Sequence, residues 1–481
     1  MTCISGIMKP EKLFADLIVL NKLFVFITLQ LFVVSIFGKQ TPTSIQDCSD
    51  FYGLSGKDSG IALKDLQNDC EEQLLKMKPT HHNPSNFTAE EKLYISSLFR
   101  QLTAETWTNT ENKQHSNRFK RHGKYRARYR REVRSAPHRH WERYVAGVRR
   151  LKFDMSGGGG RSRYDTIADI HGLAMIQAHS GPNFLPWHRL YLLIYETALG
   201  VPIPYWDSSL DQEMADPTKS ILWTSKYFGN GFGVLETGPF AGFQTPGGSL
   251  IRNIGSDGML YDKRLIPRIW SKTRLREISV PTSAPDDGLE EQHNGVHIWV
   301  DGTMDSLVLA PHDPIFWLHH CFVDYIWEVF RMLQVSRGIN PAFDFVPSNR
   351  TGHGVDEEAF GIEGYTNRDG YLNSIARLVQ YDPTPKCPYC GFSTDLYCDE
   401  TTGYCVSREQ PQGTYQGNRM LAGKIARENG LAEGKFGPVF ERFRWDKRVR
   451  HDSVTQPKKK KIIVWVKKMK YKRDIHHIVE P

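Results

Sequence analysis

The pattern of apolar and polar residues predicts two helices that carry histidine. An amphipathic helix begins near Pro186 and ends before Gly200, since proline suits a first helical turn and glycine favours the position after a helix. Another begins at Asp313 and Pro314, because an aspartate side chain can accept the free backbone N–H groups of the first turn. The chain is therefore predicted to be mainly helical around these segments.

The same pattern predicts three further helices, over residues 89–103, 133–151 and 164–175. Residues 208–290 are rich in glycine, proline and serine, with only short apolar pieces. We expect long surface loops there, shaping the mouth of a site.

An apolar run over residues 23–37 follows Lys9, Lys12 and Lys22. This order of charge and hydrophobicity is typical of a secretory signal, and the run is shorter than the ~20 residues that a spanning helix needs. We predict a signal peptide over residues 1–38, an extracellular location and no transmembrane span after cleavage. An uncleaved anchor is the alternative.

One histidine group lies within residues 293–327. His293 and His297 are four residues apart, so on a helix both rings project from one face. His320 falls on the same side of its own helix as Asp324, whereas His319 is rotated by about 100°. Only one of this adjacent pair should reach a site shared with His293 and His297.

A second group stands upstream. His171 lies on or after a predicted helix, His179 precedes a Gly-Pro turn and His188 is in the helix near Pro186. Three imidazoles without a thiolate suit copper or zinc. A lone histidine is more often a core or surface group, but six in two matching blocks favour two metal sites within a four-helix bundle.

The motifs GPNFLPWHRLYL, HNGVHIWV-DGTM and DPIFWLHHCFVDYIW resemble the copper-binding signatures of the tyrosinase family of type 3 copper proteins. The resemblance covers residues 131–331 and continues more weakly to about 381. It implies a mainly α fold in which a four-helix bundle holds two copper ions, with His319 beside the site. The implied ligands are His171, His179 and His188 for copper A and His293, His297 and His320 for copper B.

The resemblance implies oxidation of o-diphenols, and of monophenols as a further activity, to o-quinones with O₂ as co-substrate. Asn294 would orient a water for monophenol deprotonation together with a glutamate, for which Glu277, Glu290 and Glu291 all remain candidates. Gln177 stands where many relatives have a cysteine bonded to a copper A imidazole, so that thioether is excluded here.

Each ligand also needs an acceptor for its other ring nitrogen. Asp324 and nearby backbone carbonyls are candidates, although Asp324 can instead pair with Arg189. His312 is expected to lie in a loop and not to bind metal. Four aromatic residues should keep the site dry: Phe184, Trp187, Phe316 and Trp317.

Cysteine usage agrees with secretion. Four cysteines, at 387, 390, 398 and 405, could form a zinc site, but an oxidising compartment favours two disulfides whose pairing the spacing leaves open. Cys321 is predicted to be a buried free thiol, and Cys48 could pair with Cys70. Asn86 and Asn349 begin glycan acceptor sequences.

The net charge of +8 is unevenly distributed. Residues 118–134 carry nine Lys/Arg against Glu132 (+8), and residues 447–474 carry twelve against two aspartates (+10), which leaves −10 for the remainder (8 − 18). The patches suggest either adhesion to an acidic extracellular matrix or membrane surface, or a solvated linker and tail. Nucleic acid is not expected as a partner, because no nucleic-acid fold motif accompanies either patch.

The segments RFKR (118–121) and RYRR (128–131) also look like convertase sites. Finding Asn86 and His171 on one mature chain would contradict processing there.

These observations predict five segments: a signal peptide (1–38), an extension with a basic linker (39–130), a tyrosinase copper-binding domain (131–381), a cysteine-rich region (382–445) and a basic tail (446–481). The resemblance is strongest to secreted, mollusc-type tyrosinases that form pigment or cross-link extracellular matrix. The alternatives are a haemocyanin-like oxygen carrier and a matrix-binding protein with a vestigial site. The carrier's multi-unit length and thioether are missing, and all six ligands argue against a vestigial site.

Overall fold

The computed structural model describes residues 87–111, 127–157, 159–348 and 350–417. Several predictions made above lie outside these residues: the signal peptide, the Cys48–Cys70 pair, both glycan acceptors, the RFKR segment and the basic tail. None of the helices in the described ranges is both long and apolar enough to cross a bilayer.

The described chain is mainly helical, with short strands between helices. The α-helices are α1 (Ala89–Glu111), α2 (His138–Phe153), α3 (Arg163–Leu173), α4 (Met175–Ala178), α5 (Phe184–Leu199), α6 (Ser209–Gln212), α7 (Leu265–Ser271), α8 (Leu289–Val300), α9 (Ile315–Ser336) and α10 (Asn373–Ala376). The strands are β1 (Arg128–Arg130), β2 (Phe232–Val234), β3 (Gln244–Thr245), β4 (Gly248–Ser249), β5 (Ile251–Asn253), β6 (Val379–Tyr381), β7 (Leu396–Asp399) and β8 (Tyr404–Ser407). The 3₁₀ turns are Pro217–Lys219, Ile221–Trp223, Leu275–Glu277, Pro285–Asp287, Gly302–Asp305, Ala310–His312, Asn367–Tyr371 and Cys390–Phe392.

Helix α5 forms the centre of the fold, and every one of its residues is buried. We predicted an amphipathic helix here, and that prediction is wrong because α1, α2 and α9 all pack around it. Its end is as predicted: Gly200 adopts a left-handed conformation (φ +68°), which glycine does without a steric penalty. A helix buried on all sides provides a rigid support for the histidine that it carries.

Helix α2 begins five residues later than the predicted start at residue 133. The side chain of Glu132 accepts the backbone N–H groups of Arg134 and Ser135, which fixes a turn. Pro137 then follows, and proline disfavours helical backbone in the residue before it. The predicted first helix, over 89–103, begins at the expected residue but continues to Glu111.

The strands form four two-stranded pairs: β1 with β6 (parallel), and β2 with β5, β3 with β4 and β7 with β8 (antiparallel). The expectation of surface loops over 208–290 is wrong for much of that region. Its apolar pieces enter the main core, where Leu222, Trp223, Phe228 and Phe240 are fully buried.

The prediction of two disulfides is confirmed, and the pairing left open from the sequence is Cys387–Cys398 and Cys390–Cys405. These bridges hold β7, β8 and the turn before them as a small satellite core. Cys321 is a buried free thiol, as predicted.

The structure describes residues 127–134 of the basic patch that was predicted over 118–134. There it corrects the prediction, because arginine side chains of this segment pair with carboxylates inside the fold. The side chain of Arg130 is fully buried, 3.0 Å from Glu196 and 3.2 Å from Asp324. Arg128 lies 2.6 Å from Glu105 on α1. The arginines of strand β1 therefore neutralise carboxylates of the fold. Within the RYRR segment Arg130 is buried, Arg128 and Arg131 are half-buried and Tyr129 is exposed.

Candidate metal centre

Three elements bring the first histidine group together. His171 lies in the last turn of α3, His179 follows α4 in extended backbone, and His188 lies on α5. All three are at least 95% buried. Nε2 of His171 and Nε2 of His188 are 3.4 Å apart, and the ring of His179 is 4.8 Å and 4.9 Å from the other two.

Two helices form the second group. His293 and His297 project from one face of α8, and His320 reaches them from α9. Nε2 of His320 is 3.0 Å from Nε2 of His293 and 3.3 Å from Nε2 of His297. Nitrogens this close can share one ion at bond lengths of about 2 Å.

The two triads adjoin each other. His188 and His320 stack with ring centroids 4.5 Å apart and an interplanar angle of 15°. Phe184 packs between the groups, 4.7 Å from His188 and 4.8 Å from His293. Two ions held here would be close neighbours.

The hydrogen-bond partners of the Nδ1 atoms indicate whether the triads could bind a metal ion. Five of the six face an oxygen at 2.7–3.0 Å, namely Leu307 O for His171, Met175 O for His179, Phe184 O for His188, Asn294 Oδ1 for His293 and Met304 O for His297. A carbonyl oxygen only accepts, so each Nδ1 donates its proton and each Nε2 presents a lone pair. Converging lone pairs repel one another unless a cation lies between them. The donor set therefore fits copper or zinc in both triads.

Burial also keeps these rings neutral, as a metal ligand must be. Loss of hydration lowers the pKa of His179 to about 3 and that of His297 to about 4. For the other four rings, burial and neighbouring imidazoles hold the pKa well below its usual value.

His319 also comes within reach of His293 and His297, so the choice between it and His320 depends on direction. Its ring stacks on His293 at 4.9 Å, and its Nε2 lies 3.3 Å from the His293 carbonyl oxygen. That backbone contact turns its Nε2 away from the converging nitrogens. His320, with two short Nε2 contacts, is the better ligand candidate. Helical spacing predicted that only one of the adjacent pair would reach the site, whereas the rings of both lie close to His293 and His297.

Asp324 is not the hydrogen-bond acceptor of a ligand histidine. It accepts from Nε of Arg189 at 2.7 Å and also pairs with Arg130, so the alternative of an ion pair with Arg189 is confirmed. Phe316 covers His171 and His320, with centroids 5.2 Å and 4.0 Å away.

Two tryptophans complete the aromatic packing. Trp187 lies 5.0 Å from His188. Trp317 instead stacks on Tyr195 at 3.7 Å, one layer further into the core.

The three candidate glutamates occupy different places. Glu277 accepts the N–H groups of Thr273 and Arg274 and closes a turn. Glu291 is only half-buried, whereas Glu290 is buried, and its Oε1 accepts the N–H of Ser180 at 2.6 Å. Glu290 is thus the candidate that packs against the loop of the first triad.

A cavity opens beside both triads. It is lined by His171, His179, His293, Asn294, His297, Ile298, Met304, Asp305, Leu307 and Ala310. The loop 302–310, and not the region 208–290, forms its outer wall. Its free volume of about 20 Å³ has room for about one water, so a phenol ring enters only if side chains that line the cavity move.

His312 lies outside both triads, between two carboxylates. Its ring nitrogens are each 3.0 Å from an oxygen, of Asp165 and Asp169 respectively. Burial opposes charge on the ring, but these two bonds outweigh it and raise the pKa of His312.

We expect His312→Gln to destabilise the fold in a pH-dependent way. Because the folded pKa is raised, the stabilisation is fully present below the unfolded pKa of about 6.5 and is lost as pH rises through the folded value. Urea unfolding should show a loss of roughly 1–3 kcal/mol at pH 5.5 and a much smaller one at pH 9. The exposed His138→Gln serves as control, and an equal loss at both pH values would contradict the assignment.

The sequence predicted backbone carbonyls as acceptors behind the ligands, but not which carbonyls they are. Two of them follow from helical spacing, because Met175 and Phe184 lie four residues before His179 and His188. The carbonyls of Met304 and Leu307 had no such signal, since they belong to a loop that returns to the site.

The chain is similar in sequence to a known protein family. The family description "Common central domain of tyrosinase" matches residues 161–276 and 262–333. "Tyrosinase-like protein 1" of Margaritifera margaritifera is 33% identical over 391 residues, covering 74% of this chain and 75% of that protein. "Tyrosinase-like protein" of Pinctada maxima is 31% identical, covering 74% and 83% respectively. Among solved structures, a functional unit from octopus hemocyanin matches with a TM-score of 0.38 at 21% identity, covering 53% of this chain and 68% of that one.

Proposed function

The chain belongs to the tyrosinase family, and we propose that it is a secreted, copper-dependent oxidase that converts o-diphenols, and monophenols as well, to o-quinones with O₂. The observation that carries the proposal is the pair of adjoining triads whose Nε2 atoms converge while five of their six Nδ1 atoms each face an oxygen. His171, His179 and His188 would hold one copper ion, and His293, His297 and His320 the other. The quinones would serve pigment formation or cross-linking of extracellular matrix.

Copper, when bound, supplies the redox chemistry that passes electrons from the phenol to O₂. The chain's own residues prepare the place for it. The carbonyls of Leu307, Met175, Phe184 and Met304 keep four ligand rings in one tautomer and one orientation. Phe184 and Phe316 cover one side of the triads with apolar surface and limit the access of water there.

Secretion is supported by the two disulfides of the cysteine-rich region, because such bonds persist in oxidising compartments. Binding to an acidic matrix would now depend on residues other than Arg128, Arg130 and Arg134, whose charges are neutralised within the fold.

Turnover of L-DOPA by the copper-loaded chain tests the function. We expect two copper ions per chain, sustained quinone formation and matching O₂ uptake. Reversible O₂ binding without quinone would identify an oxygen carrier instead. A chain that does neither would have a vestigial site, and the oxidase proposal would fail.

We expect Asn294→Ala to impair L-tyrosine hydroxylation more than L-DOPA oxidation. Asn294 holds Nδ1 of His293 at 3.0 Å and also lines the cavity, where its amide NH₂ can bind a water or a phenol oxygen. Loss of the first role should lower both rates by about 10–100-fold, and loss of the second should lower hydroxylation further. Gln292→Ala, on the same helix, is the control; an equal fall in both rates would restrict Asn294 to orienting His293.

A further inference from the structure

We propose that the loop 350–354 positions the copper A ligand His179, and that Arg350 and His353 are its positioning residues. The proposal rests on the proposed function only in taking the first triad to be a copper site. It concerns how a ligand that lies outside any long helix is held in place.

His179 needs such support because its backbone is irregular. It follows the four-residue helix α4 in extended conformation, and the next residue, Ser180, has φ +55°. A left-handed conformation is unfavourable for a residue with a side chain and persists only where the surroundings impose it. His171 and His188, by contrast, lie within regular helices.

Contacts on both sides of Ser180 impose this conformation. Its N–H donates to Glu290 Oε1 at 2.6 Å, from α8. Its carbonyl oxygen accepts from Nη1 of Arg350 at 2.9 Å. The helix that carries His293 and His297 is thus joined through Ser180 to the loop that carries Arg350.

His353 fixes the same segment one turn earlier. Its Nε2 lies 2.7 Å from the carbonyl oxygen of Ile176. The ring is 98% buried, although it belongs to a loop. Because a carbonyl only accepts, Nε2 donates and holds the backbone on the other side of His179.

Two glycines allow the loops to interlock. A Cβ on Gly181 would lie 2.3 Å from Nδ1 of His353, and a Cβ on Gly352 would lie 2.2 Å from Cγ of Gln177. Contacts this short are not tolerated, so the loops approach closely only because both positions lack a side chain. The close packing of the two loops therefore fixes the backbone conformation of the segment that carries His179.

Copper titration of the metal-free chain against a competing chelator tests the proposal. His353→Phe keeps an aromatic ring but removes the donor to Ile176. We expect one of the two copper sites to weaken by about 10–100-fold while the other is unchanged, as for other lost partners around a ligand. The near-ultraviolet absorption on adding hydrogen peroxide, which requires both ions, should fall in parallel.

Three further variants sharpen the test. His353→Gln places an amide nitrogen near the position of Nε2 and should restore the affinity of the weakened site. Arg350→Met should weaken the same single site, and it replaces His353→Phe if that variant does not fold. His140→Phe removes an equivalent ring contact, to the Pro202 carbonyl oxygen, and should leave both sites intact.

Two outcomes would overturn the proposal: unchanged affinity at both sites in His353→Phe and Arg350→Met, or equal weakening of both sites together with a lower melting temperature of the metal-free chain. The second outcome would indicate a general structural role. Failure of the proposed function would appear separately, as absent quinone formation by the unmodified chain.

Discussion

Replacing His188 or His297 with alanine should abolish phenol oxidation. Each change removes one of three converging nitrogen donors and leaves two rings that cannot hold an ion equally well. We expect the copper content to fall from two ions per chain to one, and the absorption that follows hydrogen peroxide addition to disappear. The loss of activity should exceed the roughly 100-fold that is typical of a lost outer partner.

The control for these variants is His140→Ala, which removes an imidazole from α2 but from neither triad. It should retain both ions and the activity. Full quinone formation after either ligand substitution would refute the metal assignment, because the rings at these positions would then be ordinary core groups.

Arg130→Met should lower the free energy of unfolding by up to about 3–5 kcal/mol, because it removes one of the two cations beside each of two buried carboxylates. Arg189 remains beside Asp324, and Arg128 remains 3.5 Å from Glu196. Glu196 and Asp324 are both almost fully buried, and Arg130 lies 3.0 Å and 3.2 Å from them. Tyr381 also accepts from Arg130, at 2.6 Å. Urea unfolding of the metal-free chain measures the loss without a contribution from copper.

The neighbouring residue provides a matched comparison. Arg131 pairs with Asp382 at 2.8 Å, but the two side chains are 37% and 45% exposed. Solvent screens such a pair, so Arg131→Met should cost less than about 1 kcal/mol. Similar losses in the two variants would mean that burial of Arg130 does not determine its contribution.

Local patterns in the sequence were sufficient to predict the ligand-bearing helices. The start near Asp313, the end at Gly200 and the four-residue spacing of His293 and His297 all act within one or two turns. Helical spacing also indicates that His319 and His320 point in different directions, whereas the choice of His320 rests on the resemblance to the copper-binding signature. These predictions succeed because the interactions that decide them are close in sequence.

Tertiary contacts account for the predictions that failed. Arg189 and Glu196 lie on the helix that is predicted to be amphipathic, yet both are buried in ion pairs. Their partners Asp324 and Arg130 are 135 and 66 residues away in the chain. The contacts of Arg350 and His353 with the loop of His179 also join residues that are far apart in the chain, so no local pattern indicates them.

Strand β1 has a practical consequence for expressing this protein. A shortened chain starting at residue 131, where the sequence resemblance begins, would lack the guanidinium group that neutralises Glu196. It would also lack helix α1, which packs against α5 and supplies Glu105 to Arg128. The smallest unit that folds on its own should therefore begin before Ala89. Fragments trimmed to the recognisable family region are expected to be insoluble or unable to retain metal, even though they keep all six histidines.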